Sequence, residues 1–264
     1  MIYKTDAYLI TCLTNMHAGS GDSNYGVIDN LVQRDPLNEI PIVNSSSLKG
    51  ALREFFKDKW GENDDKLNWV FGPDPSRNSS SQSNIGNYRF FEATLLVLPV
   101  RSNLKPFFRG TAKFLLEDIN LKAKALGLDK FNIDPMNGTD VTKESAVVET
   151  GNSCNIEDVN AIDGLTINTN IKNNLGENIA LFHTDDFKEL SKRLPVIARN
   201  QLVNGESKNL WYEEVVPRES RFVFFVSKTD QYADDFDKAF KDKLIQIGAN
   251  ASIGYGFTNI QKIS

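Results

Sequence analysis

The strongest chemical signal in the sequence is a run of serines followed by regularly spaced cations, SSSLKGALREFF, at residues 45–56. Serines favour the first positions of helices, and the apolar residues that follow recur at helical spacing, which predicts a helix running to about Asp58. A helix start presents unpaired N–H groups and the positive end of the dipole, and Lys49 and Arg53 stand one turn apart beside it. The sequence therefore predicts a phosphate-binding surface here, and an ordinary capped helix with basic residues is the alternative.

Glycines mark two places where another chain could approach closely. Gly50 lies inside the predicted helix at a cost of about 1 kcal/mol relative to alanine, which a nearby strand or polynucleotide would explain. The segment IGANASIGYGF places Gly248, Gly254 and Gly256 near the end of the sequence, where they would admit a passing backbone; a helix cap and a bulged strand are the alternative. The glycine-rich segment at 19–26 lacks a GK[ST] ending and the dinucleotide-binding spacing, so it gives little support to a nucleotide site.

Composition narrows the class of protein. The chain has 264 residues, 40% hydrophobic and 25% charged, which is ordinary globular usage for one large domain or two small ones. We expect no membrane span, because no apolar run approaches the roughly 20 residues needed. We expect no signal peptide, because the first residues lack a basic leader joined to a cleavage site. Cys12 and Cys154 have no disulfide-framework or zinc-finger spacing, which predicts a reducing, cytoplasmic setting. The two histidines, His17 and His183, cannot form a three-histidine metal site within one chain.

Charge placement is more informative than the net charge of −5. A negative total argues against nonspecific nucleic-acid binding, but acids and bases are segregated along the chain. Residues 100–116 carry Arg101, Lys105, Arg109 and Lys113 and no acid. A basic surface is therefore compatible with the acidic total, and a solvated face is the alternative.

Hydrophobic periodicity predicts the elements that position these residues. Strands are expected at 7–14, 88–100, 221–227 and, interrupted by glycines, 252–263. Helices are expected at 45–58, 111–126, 185–194 and 230–247, with Thr184 capping the third helix and Gly248 the last. The segment RNQLVNGESKNLWYEE predicts a hairpin with its turn at Asn204–Gly205. The segment 27–43 contains Pro36 and Pro41 and cannot be a helix.

Both ends of the chain follow a β-α-β order, which is that of ferredoxin-like domains and of RNA-recognition modules. We therefore predict an α+β, modified ferredoxin-like fold in a single domain over residues 1–264. It carries a flexible loop at 72–87 and an insertion at 132–178 with a hairpin or irregular strands. The fold alone implies no function.

Several segments together resemble the RAMP superfamily of CRISPR effector proteins. They are HAGSG, GVIDNLVQRD, PIVNSSSLKGALREFF and IGANASIGYGF. Further segments, VFGP, LLVLPVRS, RLPVIARN and NLWYEEVVP, are similar to the subunit-four family, the repeated backbone of type III-B Cmr complexes. The backbone subunit of type III-A Csm complexes shares the first set and is the nearest alternative.

The resemblance implies an RNA-binding subunit that assembles along a guide RNA (crRNA) with further copies of itself and with other Cmr subunits. A β-hairpin thumb of each copy would part guide and target RNA, and the subunit would cut the target beside it as an endoribonuclease with Mg²⁺ or Mn²⁺. By position, Asp29 matches the catalytic aspartate and metal ligand, His17 an accessory histidine, and Tyr212, Glu213 and Glu214 a further acidic contribution. The implied RNA contacts are Ser45, Ser46, Ser47, Lys49, Arg53, Arg34, Gly248, Gly254 and Gly256.

Cleavage of RNA by its own 2′-OH requires in-line geometry and stabilisation of charge on the phosphate. A flipped nucleotide reaches that geometry more easily than a stacked one. Asp29 lies on a loop from which a carboxylate can reach a backbone. Without the resemblance, a turn-capping aspartate and a structural histidine would be the simpler interpretations of Asp29 and His17.

Three other functions stay open at this point. The first is an RNA-binding scaffold in which catalysis is absent or lies on other subunits. The second is a ribonuclease that trims guide precursors, with His17 as general base. The third is a small-molecule enzyme, which the lack of a recognisable cofactor motif disfavours.

Two segments compete for the role of thumb. The hairpin at Asn204–Gly205 has the stronger turn signal but a polar tip, VNGESKN, whereas the insertion has apolar runs, AVVET and GLTIN. Parting stacked bases costs a few kcal/mol, which favours an apolar tip. We therefore predict the tip in the insertion, within 150–170, and expect the hairpin to position Tyr212 and Glu213 near Asp29.

Overall fold

The structure is a computed structural model that describes residues 2–21, 26–73, 85–149 and 152–264. Its strands are β1 Lys4–Cys12, β2 Ile42–Val43, β3 Arg89–Phe90, β4 Ala93–Val100, β5 Phe108–Ala112, β6 Ser145–Val148, β7 Cys154–Ile156, β8 Val159–Asp163, β9 Ile179–Phe182, β10 Val196–Val203, β11 Glu206–Glu214, β12 Arg221–Lys228, β13 Leu244–Gln246 and β14 Phe257–Lys262. Its helices are α1 Ser45–Trp60, α2 Asp65–Phe71, α3 Lys113–Ala125, α4 Thr169–Leu175, α5 Thr184–Lys192 and α6 Ala233–Ala239.

The two β-α-β units meet in one antiparallel sheet. Strand β1 pairs with β12 on one side and β14 on the other, and β12 pairs with β4, giving the order β14-β1-β12-β4. Helix α1 connects β1 to β4, and α6 connects β12 to β14, so each half crosses over one strand. This is the strand order of a ferredoxin-like domain, and the predicted fold class is confirmed.

The insertion at 132–178 extends this sheet. Strand β6 pairs with β9, which lies beside β5, and β8 and β7 follow outward. Ala146, Val147 and Val148 of the run AVVET are buried, and so is Leu165 of GLTIN. These residues are therefore not an exposed tip, and that part of the thumb prediction is wrong, because their side chains are used to build the core. Residues 150–151, at the start of the deletion range considered for the thumb, lie outside the described residues.

Strands β10 and β11 form a hairpin with a sheet of its own. Its turn is Asn204–Gly205, as predicted, with φ of 52° and 83°, the left-handed pair that a tight hairpin turn requires. Most of β10 and the distal part of β11 are exposed, and burial returns only at Glu213 and Glu214. The hairpin is thus solvated along most of its length and embedded at its base.

The predicted helix at 230–247 is wrong beyond Ala239. Helix α6 ends there, Asp242 takes a left-handed φ of 55°, and β13 then pairs with β14. Leu244 is 59% exposed whereas Ile245 and Ile247 are buried, which is the alternation of a strand. Gly248 consequently caps no helix.

Two helix starts also differ from the predictions. Asn44 is the N-cap of α1, so the serines form its first turn. His183 is the N-cap of α5, with its Nδ1 accepting a hydrogen bond from the Asp185 N–H at 3.2 Å, and Thr184 is the first helical residue. The predicted loop at 72–87 lies mostly outside the described residues. None of the helices in the described ranges combines the length and the apolar character that crossing a bilayer requires.

Candidate active site and binding surfaces

A two-armed ribbon brings the glycine-rich segment and Asp29 to the base of the hairpin. Its arms pair at Gly19 and Val32, with hydrogen bonds from Gln33 N to Ala18 O and from Ser20 N to Leu31 O. The returning arm then lies along β11, where Glu214 N donates to Asn30 O at 2.9 Å. Residues 22–25, between the arms, lie outside the described residues.

Asp29 is exposed and is held against the main chain of Tyr212. Its carboxylate Oδ2 accepts a hydrogen bond from Tyr212 N at 2.8 Å, and its own N–H donates to Tyr212 O at 3.1 Å. Among the described residues this is the one hydrogen bond to the carboxylate, so the lone pairs of Oδ1 have no donor within that part of the chain. The prediction that the hairpin places Tyr212 near Asp29 is confirmed. The backbone positions the carboxylate and leaves half of it available.

His17 is 5% exposed, and its Nδ1 lies 2.7 Å from Glu214 O. Because a carbonyl can only accept, Nδ1 carries the hydrogen, and Nε2 of the neutral ring keeps a lone pair. A Cβ at Gly19 would come within 3.1 Å of Nε2, so glycine keeps this side of the ring open. The backbone groups of Tyr212 and Glu214 face one edge of β11, which places His17 and Asp29 roughly two strand residues, about 7 Å, apart.

The two glutamates are buried and fully engaged on opposite faces of β11. Glu214 binds Arg34 Nη2 through Oε1 at 2.6 Å and accepts from Val32 N through Oε2 at 3.1 Å. Glu213 Oε2 accepts from Arg199 Nε at 2.5 Å and from Asn250 Nδ2 at 3.0 Å. Both carboxylates therefore hold the hairpin base, and neither faces the solvent beside Asp29 as a free acid.

Arg34 does not present the free guanidinium that was predicted to contact RNA. Its Nη1 donates to the carbonyls of Glu39 at 2.8 Å and Ser191 at 3.0 Å, while Nη2 binds Glu214. These donors point into the protein because the ribbon folds over the side chain. Arg34 is an anchor of the ribbon.

The start of α1 retains most of the features of the predicted phosphate site. Ser45 and Ser46 are exposed. Within the described residues, the side chain of the N-cap Asn44 accepts no hydrogen bond from the N–H groups of the first turn. Ser47 Oγ accepts from Gln33 Nε2 at 2.8 Å and is the one serine tied to the ribbon. Exposed N–H groups at the positive end of the helix are therefore open to an anion.

The cations of α1 have unequal freedom. Burial, together with the charge of Arg53, lowers the pKa of Lys49. Arg53 Nη1 donates to Gly72 O at 2.6 Å, at the end of α2, and Lys57 binds Glu62 at 3.2 Å. Lys49 is thus the side chain of this row best placed to meet a phosphate.

The glycines divide into those that the fold requires and those that it does not. A Cβ at Gly248 would overlap the carbonyl of His17, and one at Gly256 would overlap the carbonyl of Ile247. The close approach predicted for RNA is thus made at these two sites by the chain itself. Around Gly254 and Gly50 no described atom lies within 4 Å of an added Cβ; Gly254 has a φ of +83°, whereas nothing in the described chain requires glycine at position 50.

Four polar residues that join these elements were not predicted. Gln33 Oε1 accepts from Asn44 N at 2.7 Å while its Nε2 also reaches Gly19 O at 3.0 Å, so it ties the ribbon to α1. Arg199 and Asn250 hold Glu213, and the Arg199 guanidinium lies 4.5 Å from the ring centre of Tyr255. The available signal was an arginine in β10 beside a glutamate in β11, at positions that the hairpin register brings to one face.

The residues present do not fit a resident metal ion. A metal site needs several converging ligands, and the described ranges contain no group of three histidine, cysteine or acidic side chains that could hold one. Asp29 contributes one carboxylate, and Glu213 and Glu214 are occupied by arginines. The predicted metal role of Asp29 therefore has no partner ligands in the described part of the chain.

Comparison with known proteins identifies close structural relatives. The sequence profile of the RAMP superfamily matches residues 9–259. A Pyrococcus furiosus protein named "CRISPR system Cmr endoribonuclease Cmr4" is 26% identical over 96% of this chain and 95% of its own length. The resemblance predicted from the motifs is thus confirmed.

Solved structures show the same fold. A chain in a cryo-EM structure of the type III-B Cmr-beta complex bound to cognate target RNA matches with a TM-score of 0.79 and 22% identity, covering 98% of this chain and 97% of that chain. Oligomeric Cmr4 from Pyrococcus furiosus matches with a TM-score of 0.68 and 18% identity, covering 98% and 99%.

Proposed function

The chain belongs to the RAMP superfamily, and we propose that it is a guide-binding backbone subunit and target-cleaving endoribonuclease of a type III-B CRISPR complex. The observation that carries this proposal is the setting of Asp29, the residue that the resemblance implies as the catalytic aspartate. It is exposed, backbone-anchored and located at the base of a protruding hairpin. The full-length similarity to a protein named as a Cmr endoribonuclease supports it.

Guide RNA is proposed to bind along the start of α1. Its open N–H groups, the hydroxyls of Ser45 and Ser46, and Lys49 together offer donors and positive charge to successive phosphates. Gly50 presents bare backbone on the same helix, and no described atom from outside the helix lies within 4 Å of a Cβ added there, so an RNA strand or a further subunit can lie against it. Further copies of this chain and other Cmr subunits would continue the binding surface.

The hairpin β10–β11 is proposed as the thumb in place of the insertion. Its distal part exposes Leu202 and Leu210, and Tyr212 nearer the base is 37% exposed. Tyr212 can stack on a base that the hairpin separates, and the leucines can wedge between bases. Because its base adjoins Asp29, a nucleotide displaced by the hairpin would lie next to the carboxylate.

Asp29 is proposed to act on the 2′-hydroxyl of that nucleotide. Oδ1, which accepts no hydrogen bond from the described residues, takes the hydroxyl proton as the 2′-oxygen attacks the adjacent phosphorus. The bond from phosphorus to the 5′-oxygen of the next nucleotide breaks, and that oxygen takes a proton from water, which leaves a 2′,3′-cyclic phosphate and a 5′-hydroxyl. The hydrogen bond from Tyr212 N to Oδ2 fixes the carboxylate for this step. His17, which is buried, positions β11 through Glu214 O. The requirement for Mg²⁺ or Mn²⁺ stays a prediction.

Asp29→Asn tests the catalytic assignment. Asparagine can still accept the Tyr212 N–H but is no longer a base, so we expect target cleavage by the reconstituted complex to fall about 10²–10⁴-fold. Guide and target binding should be unchanged. The assay follows labelled target RNA, and Asp230→Asn, an exposed aspartate paired with Lys4, is the matched control.

Retained cleavage in Asp29→Asn would remove Asp29 from the site. A wild-type complex that binds target and leaves it intact would favour the RNA-binding scaffold without catalysis. Cleavage of repeat RNA by the isolated protein would favour guide processing.

The salt dependence of guide binding tests the proposed α1 surface. Each lost phosphate contact lowers the log–log salt slope by about 0.7 for single strands, so Lys49→Ala should reduce it by that amount and Lys49→Ala with Arg53→Ala by at most about 1.4. Filter binding over a salt series measures the slope. Lys238→Ala, an exposed lysine on α6, should leave it unchanged, and an unchanged slope in the Lys49 variants would contradict the surface.

We also propose a cytoplasmic setting for this complex. The two cysteines, Cys12 and Cys154, are both unpaired and buried, which suits a reducing compartment.

A further inference from the structure

Glu213 is the centre of a polar network that joins the hairpin to the segment 248–256. Its Oε2 receives Arg199 Nε from β10 and Asn250 Nδ2 from that segment, and Oε1 lies 3.5 Å from Trp211 Nε1. Glu213 is 6% exposed, so these contacts are shielded from water. One carboxylate therefore connects the hairpin to the segment 248–256.

The segment 248–256 is itself fixed to the body of the protein. Ala249 N donates to His17 O and Gly256 N donates to Asn15 O, each at 2.8 Å. Asn250 has a φ of 67°, a left-handed conformation that asparagine tolerates well, and this turns its amide toward Glu213. Arg199 adds a second contact by lying over the Tyr255 ring.

The opposite face of β11 has an equivalent attachment. Glu214 binds Arg34 of the ribbon, and because successive residues of a strand point to opposite faces, the two ion pairs hold the hairpin base from both sides. The Glu214 side joins it to the arm that carries Asp29. The Glu213 side joins it to segment 248–256.

We propose that Arg199 and Asn250, bridged by Glu213, form a latch that fixes the angle of the hairpin β10–β11 relative to the body. Through this angle the latch sets the point at which the hairpin parts the RNA and hence the phosphate that reaches Asp29. Arg199 and Asn250 are positioning residues, since their side-chain hydrogen bonds among the described residues go to Glu213 and not to Asp29 or His17. The effect on RNA rests on the proposed function, whereas the effect on the hairpin does not.

The energetics of the Arg199–Glu213 pair fit a positioning role. Arg199 Nη2 is buried and has no hydrogen-bond partner among the described residues, so the pair leaves part of its hydrogen-bonding capacity unused. Buried ion pairs often contribute little net stability relative to apolar replacements. The geometry that the pair imposes is the larger consequence.

Hydrogen exchange on the free protein tests the latch without RNA. Arg199→Met keeps the stem and removes the guanidinium, and Asn250→Gly keeps the left-handed backbone and removes the amide. In both we expect exchange of the amides at 196–199 and 211–214 to accelerate at least 10-fold, while β12 in the central sheet stays protected. Arg199→Lys, which retains the charge, should be intermediate. Arg193→Met, which breaks an exposed pair with Asp158, is the control.

Product lengths in the reconstituted complex give the second measurement. With latch variants we expect cuts spread over neighbouring phosphates, while the total cleavage rate falls by less than 10-fold, unlike the loss expected for Asp29→Asn. Unchanged hairpin exchange would overturn the latch, as would a variant with fast exchange whose cuts stay at the wild-type phosphates. If the wild-type complex does not cut, the proposed function fails and the exchange experiment alone decides whether the latch holds the hairpin.

Discussion

Two acidic regions of this protein use carboxylates in opposite ways. Under α6, Lys228 binds Asp6 at 2.6 Å and Asp237 at 2.5 Å, and Lys262 binds the same two acids at 2.8 and 2.9 Å. Tyr8 Oη donates to Asp237 Oδ1 and accepts from Lys228 Nζ. At the hairpin base, the exposed Asp29 has one backbone donor and no cation contacting it among the described residues.

The difference lies in how many of the oxygen lone pairs the protein itself uses. In the cluster of Asp6, Asp237, Lys228 and Lys262 the two negative and two positive charges balance, and Lys228 is 3% exposed. That arrangement serves to hold α6 on the sheet. Asp29 keeps one carboxylate oxygen for another molecule. We therefore expect chemistry at the carboxylate whose hydrogen-bonding capacity the protein leaves partly unused.

Lys228→Met should have the largest effect on stability. Removing one partner of a buried ion pair costs about 3–5 kcal/mol when it leaves the other charge uncompensated. In Lys228→Met the two acids still share Lys262, so the lower end of that range, about 3 kcal/mol, applies. We expect the free energy of unfolding, measured by urea titration, to fall by that amount. Asp29→Asn should change it by less than about 0.5 kcal/mol, as is usual for an exposed position. A loss below about 1 kcal/mol for Lys228→Met would mean that the cluster is not a structural one.

The cluster under α6 should also make the stability of the protein sensitive to acid. Burial alone would raise the pKa of Asp237, but hydrogen bonds from Lys228, Tyr8 and Lys262 outweigh it and lower the pKa. A lowered folded-state pKa contributes stability that is present above the unfolded value of about 3.9 and is lost as pH falls through the folded value. Urea titrations below pH 4 should show a loss of at most about 1.4 kcal/mol per pH unit from this proton.

Lys228→Met provides the comparison for that measurement, because it removes the first of the donors that lower the pKa. Its acid limb should be shallower than that of the wild type. Parallel acid limbs in Lys228→Met and wild type would assign the acid sensitivity to other carboxylates.

At alkaline pH the stability changes with pH in the opposite direction. Burial and the charge of Asp237 raise the pKa of Tyr8, so its contribution is present below about pH 10, where the unfolded phenol titrates. Stability should therefore decline above that pH.

Local sequence patterns were sufficient to predict the order of the helices and strands, but not to predict where some of them end. The β-α-β order at both ends and the Asn204–Gly205 turn follow from periodicity and turn chemistry. The last helix was predicted too long because Phe236, Phe240 and Leu244 also fit a helical spacing. Residues 244–246 form a strand because β13 pairs with β14, and a local pattern does not show such a contact between segments.

The sequence predicted which residues of the site lie close together, but not the direction in which their side chains point. Motif order placed Asp29 beside Tyr212, and the structure agrees. Arg34 and Glu214 carry the right charges for RNA chemistry, but the ribbon turns them toward each other, and no spacing rule states which way a side chain faces. The contact of Glu213 with Asn250 is likewise absent from any local pattern, because it depends on the left-handed backbone of Asn250.

The smallest expected effect concerns divalent cations and applies to both regions. In the cluster under α6 two lysines already neutralise the acids, and Asp29 offers a single carboxylate, so neither region should bind Mg²⁺ tightly in the free protein. If the dissociation constant is 10 mM or weaker, 10 mM Mg²⁺ raises the free energy of unfolding by about 0.4 kcal/mol or less, whereas a site with a constant of 10 μM would raise it by about 4 kcal/mol. Thermal unfolding with and without Mg²⁺ or Mn²⁺ distinguishes these cases. A shift of the larger size that disappears in Asp29→Asn would show that Asp29 belongs to a resident metal centre, and the contrast between the two regions would then rest on a metal ligand instead of a free base.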